Sequence, residues 1–590
     1  MISSFSMPRR LFWVSFFLIV IGSAVIRFWQ LGKIPVSLYW DEAAMLVDVK
    51  SVVQTGKDMH NRPWYQVIYP SYGDYKLPMY IWSASLSAKV FGVNEFSLRF
   101  PSALAGVLTV VVAGWLARLL LTTLTQTKYS AQFLDQLQLW TMLMVAISPW
   151  SIMFSRTGFE GHLGQMLLAS SLATLLWTLS QKKRSLFWLP AVLGAAATYA
   201  YFSVRFVWIG LYPLAGVLLM LVSFLEQPRH NLETGKRYLP DLAQLMAGVL
   251  VFLLLLLPLV KSPLYQDSNR FRLGTASVLN NDQLVLESNL YKELAGNTLI
   301  DRVIYHRDVL MGRELAKNYS DNLSFSFLFL QGDPNLRHGT GQFGLFLFPA
   351  AGLFVLGIII LLHRHKMLGF FLCCWWLSAL LPASVPENTP HALRSLNALA
   401  PLAVILGLGG AWIWQKLNEL KTPLTQLIGK GAVAVMLGLS FLHFWWFYQA
   451  IYPSISANDW QSGYAPLART LTSLTQDGKE LFIKEFDDRF YLWLLAYGPY
   501  LPQDFQHWQT KDYKFVGSGL EHHFDHLHFA WPNDTEILNT LAQHRQLILV
   551  GTQENIRLVC QPQGRHCQVD SVKDEAGKEK FAVATLTNAQ

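Results

Sequence analysis

The strongest constraint on this chain is a series of apolar runs, each about 18–20 residues long, that recurs from the N-terminus to about residue 450. A helical run of that length spans the roughly 30 Å hydrocarbon core of a bilayer. Charged residues make up only 15% of the chain, against roughly a quarter in soluble domains. The sequence therefore predicts an α-helical polytopic membrane protein with about eleven transmembrane helices. The predicted spans are 11–29, 101–121, 137–154, 163–180, 186–203, 206–225, 241–260, 343–362, 367–383, 395–414 and 431–450.

Two features of the composition invite other interpretations. The net charge of +8 is typical of nucleic-acid binding, but the basic residues recur in short loops between apolar runs, so no nucleic-acid partner is expected. The first run, after Arg9 and Arg10, is similar to a signal peptide. It is long and lacks a small-residue cleavage site, which favours an uncleaved first helix.

The segment 78–92 decides the topology. It has about fifteen residues, too few to cross, and Met79, Trp82, Leu86 and Val90 follow helical spacing on one side. We expect an interfacial helix in the first outer loop. With a cytoplasmic N-terminus, this reading places the basic clusters in cytoplasmic loops, as the positive-inside rule requires. These clusters are Lys128, 182–184, 229–237, 363–366 and 416–430.

The same topology defines the domains. A transmembrane domain would span 1–450, with a first extracytoplasmic loop at 30–100 and a second at 261–342. Residues 451–590 would form a small extracytoplasmic α/β domain, with strands in ELFIKEF and RQLILVG and a helix over Thr535 to His544. Cys560 and Cys567 would pair if this part faces an oxidising compartment, and the sequence leaves the pairing open.

Adjacent carboxylates open the helical pattern DEAAMLVDVKSVV in the first outer loop. Asp41 as the N-terminal cap of that helix is one explanation. The functional one is that Asp41 takes a proton from an acceptor hydroxyl while Glu42 orients it. Lys76 and Arg99 follow in the same loop, either reaching toward headgroups or holding a lipid phosphate.

Further polar residues lie at the outer ends of spans, where charge is costly unless it is paired or functional. Any one of them can be explained as a solvated residue, but their convergence on one side indicates a pocket. Arg156 and Arg394 are candidate phosphate ligands. The candidate substrate-binding residues are Glu160, His162, Arg337, His338 and His391, together with Asp74 and Tyr75 of the first loop. The histidines have no metal-ligand spacing, so no protein-bound zinc is expected. The sequence leaves open whether a divalent cation bridges the phosphate and the carboxylates.

Four motifs carry a resemblance, and they occur in the order YWDEA, GDYKLPMYIW, FGVNEFSLRFPSALAGVLTV and SPWSIMFSRTGFEGH. They resemble the protein O-mannosyltransferase and aminoarabinose transferase (ArnT-like) family, glycosyltransferase family 39, which has the GT-C fold. The likeness covers roughly residues 30–225 and continues more diffusely through GDPNLRHGTGQFG and PHALRSLNALAP.

The resemblance implies roles for individual residues. Asp41 would be the general base with Glu42 in support, and the donor phosphate would lie near Lys76, Arg99, Arg156 and, less directly, Arg394. Some relatives carry a metal-binding acid directly before the lysine. Here that position is Tyr75, with Asp74 before it, so the resemblance does not imply a metal.

The function implied is transfer of a sugar from a polyprenyl phosphate to a hydroxyl of a protein, lipid or glycan at the outer face of the plasma (inner) membrane. Inversion is expected because one carboxylate centre is present. Three alternatives remain: a transferase using a lipid-diphosphate oligosaccharide, a transporter or flippase, and a structural or assembly protein. A transporter would place charges near mid-bilayer and often repeat its topology, and neither feature stands out.

Overall fold

The computed structural model describes residues 8–71, 74–125, 127–225, 234–275, 278, 281–476, 481–484, 489–499, 523–524, 527–528, 531, 546–561 and 565–588. The predicted helix over 535–544, and Gly73 and Arg229 of the predicted motifs and clusters, lie outside these residues. The described chain divides into two compact units. Unit 1 contains residues 1–29, 77–80 and 99–448, and unit 2 contains residues 30–76, 81–98 and 449–590.

The described part of the chain is mostly helical. Its α-helices are α1 Arg9–Phe28, α2 Trp40–Thr55, α3 Pro78–Phe91, α4 Glu95–Thr123, α5 Ala131–Ala146, α6 Pro149–Ser155, α7 Gly161–Ser180, α8 Trp188–Ala200, α9 Val204–Leu225, α10 Thr234–Lys261, α11 Pro263–Thr275, α12 Asp282–Ala295, α13 Leu299–Ile304, α14 Arg307–Leu323, α15 Ala350–Arg364, α16 Lys366–Ser384, α17 Leu399–Asn418, α18 Pro423–Trp446, α19 Tyr452–Ile455, α20 Tyr464–Gln476, α21 Tyr491–Tyr497 and α22 Gln553–Cys560. Short 3₁₀ turns cover Arg184–Leu186 and Leu396–Ala398, and π-helical turns cover Ser326–Leu330 and Phe447–Ile451.

Eight helical segments among the described residues are long and apolar enough to cross a membrane, or nine if a bent pair counts as one span. They confirm a polytopic helical fold. The bent pair is α5 and α6, which meet at 59°. Ser148 caps α6 through the Ser151 N–H, and Pro149 takes its first position, where a missing N–H costs nothing. The eight are Arg9–Phe28, Glu95–Thr123, Gly161–Ser180, Val204–Val222, Pro240–Lys261, Lys366–Ser384, Leu396–Asn418 and Pro423–Ile455.

Two predicted spans are shorter in the structure. The span at 186–203 is the 13-residue α8, which ends where Tyr201 turns extended. The span at 343–362 is the 15-residue α15. Its first residues stay outside the helix because the Leu345 and Phe346 N–H groups bond to Phe327 and Leu328 carbonyls. Pro349 then stands at the helix start and disfavours helix before it.

Glycines bring three helices of unit 1 into close contact. A Cβ added at Gly407 of α17 would lie 2.0 Å from Thr141 Oγ1 of α5. One added at Gly409 would lie 2.0 Å from the Leu353 carbonyl oxygen of α15, and one at Gly357 would lie 2.1 Å from that of Ile405. Such small residues let helix backbones approach where no hydrophobic effect drives them together. Accordingly α17 is the most buried of the spans among the described residues.

The predicted interfacial segment forms the 14-residue α3. Leu86 and Val90 are exposed, whereas Ala84 and Ala88 are buried. Two of the apolar residues chosen from the sequence are thus on the outward side of the helix, and its packed side includes Tyr80 and Ile81 besides the two alanines. An exposed apolar face agrees with a position at a lipid surface.

The C-terminal part contains an α/β sheet, as predicted. The sheet has six strands in the order β4-β5-β3-β6-β8-β7, with β3 parallel to β5 and β6 and the other pairs antiparallel. The strands are β3 Leu481–Ile483, β4 His523–Phe524, β5 Leu527–His528, β6 Gln546–Thr552, β7 Arg565–Lys573 and β8 Glu579–Asn588; β1 Tyr69–Pro70 and β2 Tyr75–Lys76 form a separate hairpin. Cys560 and Cys567 form a disulfide between α22 and β7, with their Cα atoms 6.0 Å apart.

Unit 2 joins the first loop to the C-terminal residues. The Lys50 ammonium of α2 donates hydrogen bonds to the carbonyl oxygens of Leu495 (2.8 Å) and Gly498 (2.5 Å) at the end of α21. The Arg489 guanidinium lies 4.0 Å from the ring centroid of Trp40, the first residue of α2. Helix α2 is therefore held in place by a segment more than four hundred positions away.

Candidate active site

The acid pair predicted from the sequence lies in the first turn of α2. The Glu42 carboxylate is buried and accepts a hydrogen bond from the Tyr39 backbone N–H at 3.4 Å, so Glu42 caps the helix. Asp41 is the second helical residue rather than the cap. Its carboxylate is 21% exposed and lies in the first turn of the helix.

Lys76 joins Asp41 to Asp74. The β1–β2 hairpin carries Lys76, whose ammonium forms an ion pair with Asp41 and a second one with Asp74 Oδ2 at 2.9 Å. The lysine side chain is 7% exposed, whereas both carboxylates are about one-fifth exposed. Lys76 is thus a largely buried ammonium that pairs with two carboxylates. Tyr75, beside it in β2, is partly exposed.

Three fully buried arginines lie in unit 1: Arg27, Arg99 and Arg156. The Arg156 guanidinium donates to the Ile26 carbonyl at 2.7 Å and stacks 5.5 Å from the Tyr448 ring centroid. Arg27 donates to Ser151 Oγ at 2.8 Å and Ser23 Oγ at 2.7 Å. Burial lowers the pKa of Arg156, and the neighbouring Arg99 charge lowers it further. The structure thereby brings two of the predicted phosphate-binding residues, Arg99 and Arg156, into one cationic region.

Arg27 was missed by the sequence analysis, which treated 11–29 as a plain apolar span. A lone arginine inside such a run is itself a signal, because intramembrane charges are costly and are kept where they are used. No acidic side chain pairs with Arg27 among the described residues, so its charge is compensated by carbonyl and hydroxyl oxygens. His162 belongs to the same region, since its Nε2 lies 3.2 Å from Ser151 Oγ. Glu160 is partly exposed at the start of α7.

A second polar group in unit 1 includes His338 and His391, whose ring centroids are 4.4 Å apart. Arg337 and Arg394 lie close enough for their charges to lower the pKa values of these histidines, after the larger effect of burial. The Asp333 carboxylate, which the sequence analysis did not single out, accepts the Ala392 N–H at 2.8 Å. Helix α6 runs beside both groups, because Ser151 binds Arg27 and the Trp150 indole donates to the Ala392 carbonyl at 2.9 Å.

Two buried acids in unit 2 were also missed. Asp48 of α2 accepts the Met59 N–H at 3.0 Å, and Asp58 accepts the Arg62 N–H at 2.7 Å. Burial raises the pKa of Asp48 well above its ordinary value, and the neighbouring Asp58 raises it further. In the sequence, Asp48 is only a polar position within a helical pattern. Its proximity to Asp58 arises from the folding of the loop after α2, which the pattern does not predict.

Comparisons with known proteins agree on the fold. The chain has the GT-C membrane fold. It is similar to ArnT from Cupriavidus metallidurans bound to undecaprenyl phosphate, with a TM-score of 0.52 and 12% identity over 97% of this chain and 98% of that one. The apo structure of the same protein gives a TM-score of 0.52 with 10% identity over the same shares of the two chains.

Sequence comparison is less informative. No protein-family model matches the chain, so membership of glycosyltransferase family 39 stays a prediction. An uncharacterised protein of Aquifex aeolicus (strain VF5) is 29% identical over 192 residues, which are 31% of this chain. The match spans 33% of that relative's own length.

Proposed function

We propose that the chain is a membrane glycosyltransferase that moves a sugar from a polyprenyl-phosphate donor to a hydroxyl of a protein, lipid or glycan on the extracytoplasmic side. The observation that carries the proposal is the position of the Lys76 ammonium between the Asp41 and Asp74 carboxylates. It places a candidate base and a candidate phosphate ligand in direct contact. The GT-C fold supports the proposal, and the similar ArnT structure was solved with a lipid monophosphate, undecaprenyl phosphate.

The ion pair suggests how the base becomes active. In the structure the Asp41 carboxylate is engaged in the ion pair with Lys76. A donor phosphate arriving beside Lys76 offers the ammonium a competing anion, and charge-assisted contacts to phosphate are strong. If the Lys76 ammonium then pairs with the phosphate instead of Asp41, the Asp41 carboxylate is free to take the proton of the attacking hydroxyl.

The bond changes then follow a single displacement. The acceptor oxygen attacks the anomeric carbon, its proton passes to Asp41, and the sugar–phosphate bond breaks with its electron pair on the departing phosphate. Lys76, with the arginines Arg99 and Arg156 as further candidates, would offset the charge that develops there. A single displacement of the phosphate by the acceptor oxygen inverts the configuration at the anomeric carbon, since no covalent sugar–enzyme intermediate is formed.

The direct test uses the purified protein with radiolabelled polyprenyl-phosphate sugars and a membrane extract as acceptor source. We expect covalent transfer, and we expect Asp41→Asn to abolish it while the protein stays folded and inserted. Asp135→Asn is the matched control, because Asp135 forms its own ion pair of 2.5 Å with Arg118 within unit 1. Undiminished turnover in Asp41→Asn would refute the role of Asp41. Vesicle uptake of the lipid without covalent transfer would replace the proposal with a transporter.

A further inference from the structure

Asp333, His338 and His391 in unit 1 form a cluster with the composition of a metal site. One ligand-type atom from each residue lies within 4.8 Å of the other two. Asp333 and His338 belong to the irregular segment before α15, and His391 precedes the turn that starts α17. The sequence analysis treated the two histidines as substrate-binding residues, but the geometry indicates a different ligand.

The carboxylate of Asp333 is held in place without any ion. Its Oδ2 accepts the Ala392 N–H at 2.8 Å, and its Oδ1 accepts the Asn335 N–H at 2.9 Å. Each oxygen keeps a further acceptor position, since a carboxylate oxygen has two. The two backbone donors therefore act as the outer hydrogen bonds that orient a ligating carboxylate in metal sites.

His338 has the features of a metal ligand. Its Nδ1 lies 3.6 Å from Asp333 Oδ2, which is too long for a hydrogen bond. Ligand atoms 2.0–2.1 Å from one tetrahedral ion are about 3.3 Å apart, so this spacing fits a shared ion better than a direct contact. Among the described residues, no hydrogen bond reaches the His338 ring, and its side chain is 14% exposed.

We infer that Asp333, His338 and His391 bind a divalent transition-metal ion of the zinc type, which ties the segment before α15 to the segment before α17. Two imidazoles and one carboxylate suit zinc and the neighbouring first-row transition metals, whereas magnesium and calcium prefer oxygen ligands. Three protein ligands leave one tetrahedral position open. The positive charges of Arg337 and Arg394 favour an anionic group in that position.

The segment that carries His391 is braced from α14. The Asn322 side chain accepts the His391 backbone N–H at 3.0 Å, and Asn318 donates to the Pro386 carbonyl at 3.1 Å. The ligand atoms all lie within 4.8 Å of one another, so each pair must approach by at most about 1.5 Å to reach the spacing of a tetrahedral site.

The test measures zinc binding by the full-length protein in detergent after removal of metal with a chelator. We expect one Zn²⁺ per chain by elemental analysis, little competition from Mg²⁺, and a higher thermal unfolding temperature when Zn²⁺ is added. His338→Ala and His391→Ala should each weaken Zn²⁺ affinity at least about tenfold. The matched control is His306→Ala, since His306 lies 3.4 Å from the Asp308 carboxylate on an exposed segment and should leave binding unchanged.

A second measurement on the unmodified protein keeps the test valid if a variant misfolds. Zn²⁺ should protect His338 from diethyl pyrocarbonate, read by peptide mass spectrometry, while the more exposed His306 stays reactive. Absence of stoichiometric Zn²⁺, no protection of His338, or Zn²⁺ affinity that survives both histidine variants would overturn the inference. None of these outcomes depends on glycosyl transfer.

Discussion

Lys76 forms an ion pair with Asp41 across 35 positions of sequence, joining the β1–β2 hairpin to the first turn of α2. The Lys76 side chain is 7% exposed, so its loss would remove a largely buried charge from the Asp41 carboxylate. The pair also links the two groups whose separation the proposed reaction requires. A stronger ion pair would hold Asp41 more firmly in place, and a weaker one would release its carboxylate more readily.

Lys76→Met should lower kcat/KM for the lipid donor by about 10²- to 10³-fold, since truncating one partner of a covered charge pair costs 2–5 kcal/mol. Lys76→Arg should retain part of the activity, because it keeps the charge but changes the geometry. Initial rates against donor concentration measure both. Lys182→Met, which breaks the 2.7 Å pair of a far more exposed lysine with Asp241, is the control and should leave rates unchanged. Equal rates for Lys76→Met and the wild type would contradict the role of Lys76.

Arg27→Met should destabilise unit 1 by about 2–4 kcal/mol, because it strips donors from the Val145 carbonyl and the Ser151 hydroxyl. Arg27→Lys should not restore stability, since an ammonium cannot span the same acceptors as a guanidinium fork. Thermal unfolding followed by tryptophan fluorescence reports the change. Arg10→Met, at an exposed position of α1, should behave as the wild type. A stable Arg27→Met protein would show that these hydrogen bonds are dispensable.

Gly409→Ala should lower the unfolding temperature by several degrees, because the new Cβ would meet Leu353 backbone atoms at 2.0 Å and 2.9 Å. Backbone cannot move aside as a side chain can, so α15 and α17 must separate. Gly438→Ala in α18 is the matched control, with nothing within 4 Å of its Cβ. It should be neutral or stabilising by up to about 1 kcal/mol through helix propensity. Equal unfolding temperatures for the two variants would mean that the close packing is not rigid.

Stability should fall as the pH rises from about 5 to 8, through Asp48. The folded-state pKa of Asp48 is raised above its ordinary 3.8 by burial and by Asp58, so the folded protein holds this proton more tightly than the unfolded chain does. The stabilising contribution is complete below the unfolded pKa and is lost as the pH rises through the folded one. Asp48→Asn should flatten this dependence and unfold at a higher temperature than the wild type at pH 8.

Asp308→Asn is the comparison for that experiment, since the Asp308 side chain is 70% exposed. It should leave the slope of unfolding temperature against pH unchanged. A wild-type unfolding temperature that climbs between pH 5 and 8, or an Asp48→Asn slope equal to that of the wild type, would show that the Asp48 proton is not retained in the folded protein.

The sequence predicted the membrane architecture well because a spanning helix leaves a local signal of length and hydropathy. It was less accurate where tertiary contacts interrupt that signal, as at Leu345 and Phe346, whose N–H groups bond outside their predicted helix. Asp41 could be placed at the start of α2 from DEAAMLVDVKSVV alone. Whether it pairs with Lys76 depends on the β1–β2 hairpin, which has only two residues in each strand.

The histidine pair shows a different limit. His338 and His391 belong to segments before different helices, and Asp333 resembles any loop aspartate next to a proline. Their proximity follows from side chains of α14 and α6 that hold these loops, such as Trp150 on the Ala392 carbonyl. Spacing rules for metal ligands detect sites whose ligands lie within one short segment of sequence. The ligands of this cluster come from two segments, so those rules do not detect it. Arg27 is the opposite case, because its signal was local and was overlooked.

The hydrogen bonds from Lys50 to the carbonyls of Leu495 and Gly498 have a practical consequence for domain-exchange experiments. A chimaera that replaces the C-terminal residues with those of another protein also removes the anchor of the helix that carries Asp41. Lost turnover in such a hybrid would then report a displaced base rather than a changed preference for acceptors. An exchange that preserves residues 489–498 would separate the two effects.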